Sequence, residues 1–325
     1  MRTAFIVNPS SDGGRTGADW PRIERKLRRA LGPIDVFETT QRGDGTTLAA
    51  AALAKGAELV VAVGGDGTLG EVVGGFFASS RSLATFAFLQ RGTGGDFQRT
   101  AGGARNEDAL CAALVEPAVH TRAIDVGRVT YEAHDGRRAS RYFLNLASFG
   151  IGGLFDAMLN ASRKTLRGRA ATTLTGVRAL YAYRHQTVRL SLDDGPARTV
   201  RIHNVAVCNG RFYGGGQHIA PDARLDDGLF DVVLLGDLGL AEKLGFAQRI
   251  FAAKHLDLRK VEVARARRVV AQAVPETDGA LGTRDDTPVL LDVDGEQPGR
   301  LPAIFEVVPG ALRLCAPPPA KEHAA

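Results

Sequence analysis

Leu59-Val60-Val61-Ala62-Val63-Gly64-Gly65-Asp66-Gly67-Thr68-Leu69-Gly70-Glu71-Val72-Val73 is the stretch from which the fold can be read. Its first five residues are apolar and three of them are valine, as in a strand buried on both faces. Two glycines stop the run, and a polar turn and a helical pattern follow. Strand, glycine loop and helix start, in that order, make an anion site. The glycines let the backbone bend and come close to a ligand, and unpaired N–H groups at the helix start point at negative charge. The expectation is a loop that holds nucleotide phosphates, with the rest of the chain presenting the group to be phosphorylated.

Outward from this stretch, strands are predicted at 3–7, 34–38, 59–63 and 83–89, alternating with helical patterns at 20–31, 45–54 and 69–78. That alternation implies a parallel sheet with helices on both faces. Ligands of such sheets sit outside the carboxyl ends of the strands. Asn8, Thr39, Gly64 and Gly92 each follow a strand directly and should converge on one edge. From about residue 119 the texture changes. Strands are predicted at 123–129, 142–147, 187–192, 200–208, 230–235, 261–263, 289–293 and 303–308, with helical patterns only near 154–183 and 239–255. The fold class is therefore an α/β N-terminal domain with a parallel sheet, followed by a β-rich, sandwich-like C-terminal domain. The expected division is 1–125 for nucleotide, 126–316 for substrate, and a frayed tail at 317–325. Residues 275–287 form a polar insertion expected to be a mobile loop.

The 325 residues carry a net charge of +5, which fits an anionic ligand, a membrane surface or nucleic acid. Aromatic content of 6%, with no basic segment interleaved with aromatics, disfavours nucleic acid. Cys111, Cys208 and Cys315 show no paired spacing, and an odd count argues against a disulfide framework. The histidines show no metal-ligand spacing. The apolar run at residues 4–7 is too short for a signal peptide, and no stretch of about 18 apolar residues exists, so a cytoplasmic location is expected.

The loop 64–68 is not a Walker P-loop, since no Gly-Lys-Ser/Thr closes it. Gly65, Gly67 and Gly70 match the dinucleotide pattern, but that reading needs an acid at the end of the next strand, where Leu89-Gln90-Arg91 stands. Asp66 is the odd member. A carboxylate beside phosphates is unfavourable unless a cation or a transferable proton is involved. Handling Mg²⁺ or deprotonating an acceptor hydroxyl would each account for it. A plain strand–helix turn is the competing reading.

Gly64-Gly65-Asp66-Gly67-Thr68, with Asn8-Pro9 before it and Gly92-Thr93 and Asp96-Phe97 after it, resembles the diacylglycerol kinase catalytic family, which includes sphingosine and ceramide kinases. The resemblance continues in order through Asn145 to Gly150, Cys208-Asn209-Gly210, the stretch 220–231 and Asp292-Val293-Asp294-Gly295-Glu296. The Gly-Gly-Asp-Gly-Thr run alone is less specific, because NAD kinases carry it on a similar N-terminal domain. The resemblance implies ATP with Mg²⁺ between the two domains, contacted by Asn8, Pro9, Thr39, Gly64, Gly65, Asp66, Gly67, Thr68, Thr93 and Asp96. It implies a structural metal loop in which Asp227 supplies a carboxylate, and carbonyls near Arg224 and Leu229 the rest; an ordinary acidic turn competes. It implies a general base at Glu296 or Asp294, with Asp66 as competitor. Strand alternation puts Asp292 and Asp294 on one face, and an Asp-Gly hairpin turn is the bland alternative. Gly94-Gly95 and Gly70 depart from the family's usual Ala-Asn and Asn.

The implied reaction is γ-phosphoryl transfer from ATP to a lipid hydroxyl, with diacylglycerol the leading acceptor. The rivals are an NAD kinase-like activity on a soluble acceptor and a non-catalytic nucleotide- or lipid-binding regulator. The basic run at 162–169, with Arg163, Lys164, Arg167 and Arg169, is read as a patch for anionic headgroups that holds the protein peripherally on a membrane. A homodimer is left open.

Overall fold

The apolar run ending at Gly64 becomes the central strand of a parallel sheet in the computed structural model, which describes residues 1–79, 83–92, 94–104, 106–162, 175–176, 178–179, 182–277, 284–285 and 287–317. Elements follow in the order β1 (Thr3–Val7), α1 (Arg15–Leu31), β2 (Asp35–Glu38), α2 (Asp44–Ala54), β3 (Leu59–Gly64), α3 (Asp66–Ala78), β4 (Thr85–Gln90), α4 (Asp96–Ala101), α5 (Glu107–Val115) and α6 (Pro117–His120). The strand order is β2-β1-β3-β4, all parallel. Each residue of β1 and β3 is buried, because helices cover both faces. One face packs Leu53, Leu69, Val72 and Phe76 against Ile6, Val60 and Phe86. The other packs Trp20, Ile23 and Leu27 of α1, with Leu110 of α5, on Phe5, Val61 and Leu89.

The second half comprises β5 (Thr121–Ala133), β6 (Arg138–Phe143), β7 (Leu146–Gly150), α7 (Ile151–Ser162), β8 (Gln186–Leu192), β9 (Arg198–Ile202), β10 (Asn204–Cys208), β11 (Phe230–Leu235), α8 (Leu240–Arg249), β12 (Val261–Ala266), β13 (Arg268–Ala273), β14 (Glu276–Thr277), β15 (Arg284–Asp285), β16 (Leu291–Val293) and β17 (Gly299–Cys315). An antiparallel sheet β12-β11-β10-β7-β16 packs on strands β5, β8, β13 and β17. Cross-sheet aromatic pairs such as Phe149–Phe305, with ring centroids 5.8 Å apart, fill the sandwich. β17 is shared between the halves. It pairs with β13 near its start, with β5 along its length, and in parallel with β4 at Arg313 and Leu314. β5 itself runs unbroken through residue 125.

Four local readings are corrected. The strand expected at 142–147 is two strands, β6 and β7, parted at Leu144-Asn145. The strand expected at 200–208 is β9 and β10, which belong to different sheets. Helix α3 begins at Asp66 instead of Leu69, so the acidic residue of the glycine loop is the first residue of the helix. β14 and β15 pair within 275–287, which gives that insertion a short antiparallel ribbon.

Candidate active site

The predicted convergence of strand ends is present. Asn8 N–H donates to Val63 O (2.9 Å), Thr39 N–H to Val7 O (2.8 Å) and Arg91 N–H to Gly64 O (2.7 Å). Asn8 Nδ2 donates to Thr68 Oγ1 (3.0 Å), and Ser10 N–H to Asn8 Oδ1 (3.1 Å), so Asn8 joins the first loop to α3. Pro9 O accepts from Gly17 N–H in the first turn of α1 (3.1 Å). Gly65 caps α3 in an extended conformation with no side-chain hydrogen bond to the helix. The glycines are needed for space. A methyl on Gly64 would stand 2.5 Å from Thr68 Oγ1, and one on Gly92 would stand 2.8 Å from Gly65 Cα. The two glycine loops therefore touch backbone to backbone, which a side chain at Gly92 would prevent.

Asp66 turns towards the second glycine loop. Its Oδ2 accepts the Gly95 N–H (2.8 Å), and its Oδ1 is buried with no hydrogen-bond partner. Asp96 joins the halves: its Oδ2 accepts Gly215 N–H (2.8 Å), and its Oδ1 pairs with Arg99. Burial pushes the Asp96 carboxyl above its ordinary range, partly offset by the Gly215 N–H. Thr93 lies outside the described residues, as do Arg163, Lys164, Arg167 and Arg169.

Across from α3 stands the turn 293–296. Val293 and Glu296 exchange N–H···O bonds of 2.8 and 3.1 Å, and Asp294 and Gly295 between them have φ of 49° and 81°. This is the two-residue hairpin the Asp-Gly pair suggests, and the motif's carboxylates ride on it. Alternation does not carry Asp292 and Asp294 to one place, because β16 ends at Val293 and Asp294 is left-handed. Asp292 Oδ2 accepts from Ser148 Oγ (3.2 Å), and a methyl on Gly152 of α7 would lie 3.7 Å from it. Asp294 accepts three backbone N–H groups: Leu144 to Oδ2 (2.8 Å), with Asn145 and Leu146 to Oδ1 (3.0 Å each). Those three amides are taken from any sheet ladder, which is why β6 and β7 part there. Burial nonetheless outweighs the three donors and raises Asp294 to about 7.

Glu296 is in a different state. Burial alone would raise it, but Arg141 and Arg42 together hold it below the usual carboxylate range. Arg42 Nη2 lies 2.7 Å from Oε1, and Arg141 pairs with Oε2. Both carboxylates face the first turns of α3. Methyls on Gly67 and Gly70 would lie 3.8 Å from Glu296 Oε1 and 3.9 Å from Asp294 Oδ2. The glycine loop and the acidic turn thus form the two walls of one cleft. Glu71 braces it: its Oε1 and Oε2 accept N–H from Gly43 and Gly45 at 2.9 and 3.0 Å.

At the predicted metal loop, Asp227 Oδ1 accepts Leu229 N–H (3.1 Å) and Oδ2 pairs with Arg265. Arg224 pairs with Asp226 at 3.1 Å. Arg265 is the cation beside Asp227 in this structure. Among the described residues no three His, Cys, Asp or Glu side chains group as a metal set. Asp66 Oδ1 and the neighbouring Gln90 Oε1 are buried oxygens with no hydrogen-bond partner, and oxygens are the ligands Mg²⁺ takes. Sequence reasoning missed Arg42, Arg141 and the bracing role of Glu71. Arg42 carried a signal, since it sits in a strand-end loop beside Thr39. Arg141, inside a predicted β domain, carried none.

The residues 2–129 match the diacylglycerol kinase catalytic domain, and 145–316 match the YegS C-terminal NAD kinase beta sandwich-like domain. The diacylglycerol kinase of Bacillus subtilis is 29% identical over 94% of this chain and 92% of its own length. A probable YegS-like lipid kinase of Pseudomonas aeruginosa is 32% identical, covering 94% and 92%. A solved diacylglycerol kinase structure from Bacillus anthracis shares the fold with a TM-score of 0.69 at 19% identity, covering 98% of this chain and 97% of that one. Fold and site define a two-part kinase, with an α/β half and a β-sandwich half sharing one cleft. The chain belongs to the lipid-kinase family of the diacylglycerol kinases and YegS-like proteins.

Proposed function

We propose that this kinase transfers the γ-phosphoryl group of ATP to a lipid hydroxyl, with diacylglycerol as the leading acceptor and phosphatidic acid as the product. The observation that carries the reading is the facing of Asp294 Oδ2 and Glu296 Oε1 onto the first turns of α3, beside the glycine loop. ATP phosphates lie on the uncapped start of α3 and the amides of 64–68 and 92–95. Mg²⁺ bound with the nucleotide would be held through Asp66 Oδ1 and supplies charge neutralisation for the phosphates. The acceptor hydroxyl enters beside Gly70, where the absent side chain leaves Asp294 Oδ2 accessible. Asp294 accepts the hydroxyl proton, with an affinity matched to neutral pH. Glu296 pairs with the two arginines beside it in the nucleotide-free cleft.

The relatives' names support a lipid acceptor, and the basic run at 162–169 is the proposed contact with anionic headgroups. The test is radiolabelled ATP with diacylglycerol, sphingosine, ceramide, phosphatidylglycerol and NAD, each with Mg²⁺. Label in diacylglycerol is the expected result. Label in NAD alone sinks the lipid reading, and label in none, with ATP still bound, favours a regulator without turnover.

A further inference from the structure

Arg42 belongs to the loop after β2, on the phosphate wall, yet its guanidinium crosses the cleft to Glu296 on the acidic turn. The Glu296 oxygen it meets, Oε1, is the one that faces Gly67 in the first turn of α3. This ion pair therefore stands over the uncapped helix start. The loop's backbone is fixed, with Thr39 N–H on Val7 O and Gly43 N–H on Glu71 Oε1. The Arg42 side chain is 63% exposed and can swing without disturbing the core. Glu296 is 15% exposed and has a second cation in Arg141 of β6. Withdrawing Arg42 leaves Glu296 still neutralised. A nucleoside triphosphate offers the guanidinium several anionic oxygens in place of one shared carboxylate, a match that a planar fork donor exploits.

We propose that Arg42 is an exchangeable cation: it rests on Glu296 while the cleft holds no nucleotide and moves onto the terminal phosphates when a triphosphate binds. The exchange rests on the reading that the glycine loop binds nucleotide. It makes Glu296 a competitor of the nucleotide for Arg42 and so a determinant of affinity. It also makes Arg42 a residue that reports to the acidic turn whether the phosphate wall is filled.

A double-mutant cycle on binding tests it. The affinity of the full chain for Mg²⁺ with the non-hydrolysable adenylyl imidodiphosphate is measured by titration calorimetry, so turnover is not the readout. Arg42→Ala should weaken binding about tenfold, and Glu296→Gln should tighten it about threefold, because the resting partner is lost. In the Arg42→Ala background, Glu296→Gln should change affinity by less than about 1.5-fold, since nothing is left to compete for. Equal tightening in both backgrounds overturns the exchange and makes Glu296 a simple repulsive charge. An Arg42→Ala affinity equal to that of the unmodified chain also overturns it. An unmodified chain that fails to bind the nucleotide at all overturns the functional reading itself. Thermal melting of each variant verifies that it is folded.

Discussion

In the proposed reaction Asp294 is the residue on which the chemistry turns. Three N–H donors would ordinarily hold a carboxylate well below 4, yet desolvation wins and lifts it to about 7. A base must be deprotonated to act, so kcat/KM should fall as pH drops through about 7. That limb should stay in place in Glu296→Gln, and Asp294→Asn should lower kcat by roughly 10²–10⁴-fold with little change in ATP binding. An acidic limb below the ordinary carboxylate range in the unmodified chain would transfer the role to Glu296, which its arginines hold low. The glycines make a second residue-scale prediction. Gly92→Ala drives a methyl to 2.8 Å from Gly65 Cα and should cost tenfold or more in nucleotide affinity, whereas Gly70→Ala meets nothing closer than 3.9 Å. In the helix it should raise stability by about 0.5–1 kcal/mol, readable as a higher melting temperature. The carboxylates and glycines were legible in the sequence, because strand ends and turn signals locate them. The pairing of Arg42 and Arg141 with Glu296 was not, because an ion pair across a cleft leaves no mark on local periodicity.

At the scale of elements, α3 is held on the β sandwich side by the stack of Phe77 on Tyr142 of β6, with centroids 3.9 Å apart and planes 12° from parallel. Tyr142→Ala should cost about 2 kcal/mol and loosen the cleft, while Tyr142→Phe should keep nearly all of it; thermal unfolding separates the two. The parallel strands and their helices were readable since each is a short apolar run followed by a 3.6-residue pattern. The break between β6 and β7 was hidden. Tyr142-Phe143-Leu144-Asn145-Leu146-Ala147 reads as one strand, and only a carboxylate 150 positions away explains the gap by claiming Leu144 N–H. β9 and β10 were merged for a similar reason, because the switch at His203 between sheets depends on partners and not on the residues themselves.

For the whole molecule, the shared strand β17 decides what counts as a unit. Leu312, Leu314 and Cys315 are buried among residues of the α/β half, although they lie near the end of the described residues. Ending the chain at residue 309 should expose the β4 edge and the apolar faces beside it, and the product should lack a cooperative thermal transition and aggregate. Retention of a sharp transition would show that β17 is dispensable to the first sheet. Strand 303–308 was legible as a local pattern, but its continuation past Pro309 to Cys315 was not, since the proline and glycine at 309–310 read as a stop. The same strand limits how nature or an engineer can recombine this family. A single crossover between two relatives, placed at the junction after β5, would unite one parent's β4 with the other parent's β17. Their edge contacts were never selected together. Functional chimaeras should need two crossovers, so that residues 310–316 travel with the sheet they complete.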